Sequence, residues 1–185
     1  MTTSEKRPAT AEYEPPAVRW PALAAAAWVG AFCVIAGSAL IRSRVQGASS
    51  DGQDVVVLAI GLRLVTVVLA LASIQSWGRR LPDWLVLGGL WGAAAVQIVY
   101  PVAETLVKVA ILAGLMEPLD KGISNMTAEG WFNFGATWLV WGVPGALFAV
   151  AAVTFGRRVP HAARWAVLAI MAGLVLLGGL GLLIG

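Results

Sequence analysis

The chain has 185 residues, 59% of them hydrophobic and 12% charged, with a formal charge of +3 and a mean hydropathy of +0.80. Soluble domains carry about 25% charged residues. The composition therefore excludes a soluble globular enzyme, a disordered regulator and a nucleic-acid-binding domain, and describes an all-α integral membrane bundle whose first partner is the lipid bilayer.

Residues 1–19 mix Thr, Ser and Glu with Pro8, Pro15 and Pro16 and read as a disordered cytoplasmic tail. Residues 20–185 read as a single transmembrane helical domain. Its first apolar run, 20–41, has Pro21 in the first turn, where a missing N–H does no harm. A signal peptide has an apolar core of only about 7–15 residues, so this run is expected to be an uncleaved span. A polar loop, 42–54, leads to a second span, 55–77. After the tight basic turn Gly78 to Asp83, a third span runs over 84–100 and is expected to stop before Pro101. A fourth covers 131–155, with a kink expected at Pro144. A second basic turn precedes the fifth, 165–184.

The stretch 102–116 is apolar but carries Glu104 and Lys108, which face each other at helical spacing. It falls short of the roughly 20 residues of a span. It can continue the third span, lie in the interface, or dip in and return; we expect an extra interfacial or re-entrant segment.

Five spans with the N-terminus inside place eight basic residues on inner segments: Lys6, Arg7, Arg19, Arg79, Arg80, Arg157, Arg158 and Arg164. Outer segments hold four: Arg42, Arg44, Lys108 and Lys121. The positive-inside rule thus favours N-in and C-out. Trp20, Trp77, Trp84, Trp131 and Trp165 stand at span ends like an interfacial belt.

Arg63 is the residue that most needs a reason. An arginine at the centre of a span costs about 2.5–3.5 kcal/mol on insertion scales and faces protein or a wet cavity. Counting about 1.5 Å per residue along each span puts Arg63, Gln97, Tyr100, Asn133 and Thr137 in the outer half. We expect them to line an outward-facing polar pocket with Glu104 at its rim. The alternatives are that Arg63 pairs with Glu104 to hold the bundle together, or snorkels outward.

Other chemistry is sparse. One cysteine, Cys33, and one histidine, His161, do not make an ordinary zinc or haem site, and no cofactor is expected. HExxH, GxSxG and phosphate-loop motifs are absent. Asn125-Met126-Thr127 matches a glycosylation sequon, relevant only in a secretory host. Small-residue pairs four apart occur at Gly88/Gly92, Gly142/Ala146, Ala169/Gly173 and Gly181/Gly185. They suit close helix packing, within the chain or by self-association. Arg79 and Arg80, between Trp77 and Trp84, are expected to anchor the chain at anionic headgroups, about 1 kcal/mol each.

That turn, Trp77-Gly78-Arg79-Arg80-Leu81-Pro82-Asp83-Trp84, and the apolar run after it resemble an actinobacterial membrane family known as domain of unknown function 3995. The similarity extends over about residues 55–160, including Trp131 to Arg158. It implies a small multi-span protein and no particular activity. The Ala-, Val-, Gly- and Arg-rich composition also looks bacterial. The expected function is a non-enzymatic accessory or scaffold component of a complex in the bacterial cytoplasmic membrane. The alternative is a small transporter or ligand-binding protein that uses the pocket around Arg63.

Overall fold

The computed structural model describes residues 18–47, 53–119 and 122–184. The expected tail therefore lies, up to residue 17, outside the described residues, as do 48–52, 120–121 and Gly185. Six α-helices form: α1 (Trp20–Val45), α2 (Gln53–Ala72), α3 (Asp83–Leu112), α4 (Ala128–Thr137), α5 (Val143–Gly156) and α6 (Ala162–Ile184). A π-helical segment, Trp138–Gly142, joins α4 to α5. With α4 and α5 counted as one, five helices are long and apolar enough to cross a membrane. No strand occurs among the described residues. A chain this apolar satisfies its backbone polar groups within each segment, and the helix does that.

The helices form a ring with one outlier. α3 packs on α5 and α2, and α1 closes the ring by packing on both α2 and α5. Leu87 and Leu90 of α3, Val29 of α1 and Phe148 of α5 fill the centre, with Ala25, Ala70, Ala151 and Ala152 where backbones approach. α6 leans on α3 from outside. A Cβ on Gly173 would lie 3.3 Å from the Gly92 carbonyl oxygen, and one on Gly88 would lie 3.7 Å from the Ala169 Cβ. The pairs Gly88/Gly92 of α3 and Ala169/Gly173 of α6 therefore serve each other, within the chain; the packing of Gly181/Gly185 lies outside the described residues. Gly142 instead accommodates the Trp138 ring.

α2 is patterned inside out. Leu62 and Leu64 are exposed, while Arg63 between them is buried. In lipid this is the stable arrangement, because the acyl chains solvate leucine and only the protein can solvate the guanidinium.

Several expected boundaries move. α3 does not stop at Tyr100; it runs through Pro101 to Leu112. The separate interfacial or re-entrant segment at 102–116 is therefore corrected: its first eleven residues are the end of α3. Proline removes one hydrogen bond, to the Gln97 carbonyl, but leaving the helix in apolar surroundings would orphan many more. At 30 residues α3 is about 45 Å long, against a hydrocarbon core of about 30 Å, so it tilts or projects. The second span ends at Ala72, not 77: Ser73 turns its hydroxyl to the Ala70 carbonyl, and residues Ser76–Arg80 form a 3₁₀ turn. Gly78 of that turn sits on the Ala72 backbone, where no Cβ fits. In the fourth span the disturbance expected at Pro144 takes the form of the π segment just before it.

A polar cavity beside a buried arginine

A cavity of about 560 Å³ opens between α3 and α4, at the end of the bundle opposite Arg79 and Arg80. Tyr100 and Glu104, one turn apart, supply the α3 wall. Glu129, Asn133 and Thr137, spaced by four, supply the α4 wall, and Trp141 and Val140 close its deep end. The chain enters α4 through a fitted cap. The Thr127 hydroxyl accepts from Gly130 N–H at 3.4 Å, and Asn125 Oδ1 accepts from both Thr127 N–H and its hydroxyl, at 2.8 and 2.7 Å. The sequon is here a turn: Asn125 shapes the loop that roofs the cavity. Glu129 stands in the first turn of α4, where the helix dipole favours a negative charge.

Lys108 ties that roof to α3. Its side chain is 2% exposed and its Nζ lies 3.9 Å from Glu104 Oε1. The ammonium donates to the Asn125 carbonyl at 2.7 Å and faces the rings of Trp131 and Phe134 at 5.0 and 5.6 Å. A buried ammonium needs partners in several directions: the loop carbonyl accepts its hydrogen bond, and the carboxylate and two π faces supply favourable charge.

Arg63 lies outside the cavity wall and does not pair with Glu104. Its guanidinium is held between Phe32 of α1, at 4.0 Å, and Trp141, at 4.1 Å. Among the described residues no carboxylate reaches it. Trp141 thus has two neighbours: it lines the cavity and it stacks on Arg63. The π segment places it. Val143 N–H turns back to the Trp138 carbonyl, and Pro144 has no N–H, so the Leu139 carbonyl loses its usual intrahelical donor. The Trp28 indole of α1 donates to that carbonyl at 3.2 Å. On the other side, Trp138 Nε1 donates to Thr105 Oγ1 at 3.1 Å.

Gln97 also stays out of the cavity. It is buried where Gly145 lets α5 approach α3; a Cβ on Gly145 would strike Ile98 and crowd the Gln97 Cβ. Its amide donates to the Ala93 carbonyl at 3.3 Å, and its Oε1 has no partner among the described residues.

Of the six residues expected in the pocket, Tyr100, Glu104, Asn133 and Thr137 line it; Arg63 and Gln97 do not. Glu129, Asn125 and Trp141 were not anticipated there. The spacing Glu129, Asn133, Thr137 was a usable signal, since residues four apart share a helix face. Trp141 gave none, because its placement depends on the π segment. At the opposite end, Trp77, Arg79, Arg80 and Trp84 are all exposed around the 3₁₀ turn, and Trp84 stacks on Trp165 at 5.6 Å. This exposure suits the anchoring expected of them.

No protein-family model, no curated protein and no solved structure matches the chain. The resemblance noted at Trp77–Trp84 and over about residues 55–160 accordingly rests on the residues themselves.

Proposed function

We propose that the chain is a non-enzymatic, multi-pass protein of the bacterial cytoplasmic membrane that binds a small polar molecule in the cavity between α3 and α4. The observation that carries this reading is an open polar cleft of about 560 Å³ in a bundle otherwise packed with Leu, Val and Ala. Small-molecule sites occupy about 300–1,000 Å³ and combine apolar walls with a few convergent polar groups. The exposed Arg79, Arg80, Arg157, Arg158 and Arg164 cluster at the other end, so the positive-inside rule supports an N-terminus inside and a cavity mouth outside.

The test is solvent access. In a Cys33→Ser background, Thr137→Cys, Asn133→Cys and the outward-facing Val153→Cys are treated in intact cells with a membrane-impermeant maleimide. The first two are expected to react and the third not. Silence at Thr137→Cys rejects the cavity.

A second reading, an accessory component of a larger complex, draws support from α6. This helix leans on α3 alone among substantial helix contacts, and only 6% of its apolar window is buried. Its outer face, with Val167, Leu168, Met171 and Val175 exposed, could receive a partner helix. Mass spectrometry of the native-gel band from mildly solubilised membranes decides this: a discrete complex with other proteins supports it, and a lone chain refutes it.

A further inference from the structure

We infer that the molecule taken by this cavity is a small organic cation, a primary ammonium head on a short apolar body. The inference rests on the cavity reading above and adds the chemical class.

Glu104 leads to it. Its side chain is 5% exposed, yet among the described residues its only charged neighbour is Lys108 Nζ at 3.9 Å, beyond hydrogen-bond reach. That ammonium is committed at 2.7 Å to the Asn125 carbonyl. No hydrogen bond to the Glu104 carboxylate exists among the described residues, and a carboxylate has room for several donors. Buried polar groups are satisfied in stable proteins. This one lines a cavity, so a donor there would satisfy it.

The charge balance selects a cationic donor. Lys108 and Glu104 offset each other, which leaves Glu129 as the uncompensated charge on the wall among the described residues. Among the described residues, the lining contains no Lys, Arg or His. The nearest guanidinium, Arg63, lies against Trp141 at the deep end and disfavours a cation there. The field therefore runs from positive at the Trp141 floor to negative at Glu129, with the Glu104 carboxylate beside it as a hydrogen-bond acceptor. An ammonium head belongs near the two carboxylates, with its apolar body towards Val140 and Trp141. The volume suits an organic molecule better than a bare ion.

The experiment uses the full chain in phosphatidylcholine nanodiscs, titrated with dansylcadaverine, a fluorescent primary ammonium. Its N-acetyl derivative is the neutral control and dansyl-aminohexanoate the anionic one. Saturable binding of the ammonium is expected, with both controls weaker by at least about tenfold, the cost of an unmade charged hydrogen bond. Glu104→Gln should weaken the ammonium by about tenfold on the same ground. Glu129→Gln, an exposed site that packing does not constrain, should weaken it by about threefold, as for an exposed ion pair, and stands in if the first variant misfolds. Equal affinity for the three probes, no saturable binding of the ammonium, or unchanged binding in both variants overturns the cation. If Thr137→Cys still reacts with maleimide in that event, the cavity survives and only its ligand class is wrong; if it does not, both fall.

Discussion

Two buried cations in one bundle are solvated in different ways. Lys108, near the end of α3, has a carboxylate, a loop carbonyl and two aromatic rings. Arg63, in the middle of α2, has two ring faces and no anion among the described residues. The difference follows from what the backbone leaves free. Near the end of the bundle the chain leaves helix, so loop carbonyls are available to a compact, strongly hydrated ammonium. In the middle, intrahelical hydrogen bonds occupy the carbonyls. Only π faces remain, and they suit a planar, weakly hydrated guanidinium.

That contrast can be broken most severely at Lys108. Lys108→Met leaves Glu104 buried without a counter-charge and releases the roof loop, so we expect a loss of about 3–5 kcal/mol, read as a lower melting temperature in detergent. Adding Glu104→Leu to the same chain should restore much of it, because the pair then disappears together; no recovery would show that the loop tie, not the ion pair, dominates. Next comes Arg63→Lys, which keeps the charge but loses the flat stacking surface. It should cost about 1–2 kcal/mol, whereas Arg63→Leu should melt within about 1 kcal/mol of wild type, since it also removes the insertion cost. If Arg63→Leu is the worse of the two, an anion or ligand contacts Arg63 in the membrane. The smallest effect is expected from Trp28→Phe, which removes the donor to the Leu139 carbonyl. About 1 kcal/mol and faster amide exchange over residues 138–145 are expected, and unchanged exchange would show that the π segment stands without α1.

The sequence made heights legible and rotations not. Counting residues along the spans set Tyr100, Asn133 and Thr137 in the outer half with Glu104 at the rim, and they do share a cavity. The same count set Arg63 and Gln97 in the outer half too, but rotation about the helix axis turned them elsewhere: Arg63 to the Phe32–Trp141 slot, Gln97 to the contact made by Gly145. Rotation is decided by which neighbours pack, and Gly145 decides it here through a tight approach that periodicity does not reveal. Pro101 failed as a stop signal for a related reason. The rule that proline ends helices assumes water to take up freed carbonyls, and membrane surroundings remove that alternative. The basic turn was legible in place, because the flanking tryptophans and arginines mark it, but not in extent, because the helix before it ends at Ala72 inside a run that is still largely apolar.

The way α6 is attached bears on how the protein is made. An insertase delivers spans in chain order, and the ring of α1, α2, α3 and α5 is complete in sequence by Gly156. The last helix therefore arrives at a finished surface. Its docking along the Gly88, Gly92, Ala169 and Gly173 track is a separate, late assembly step, and a nascent chain stalled just after Gly156 would already carry both the arginine slot and the cavity.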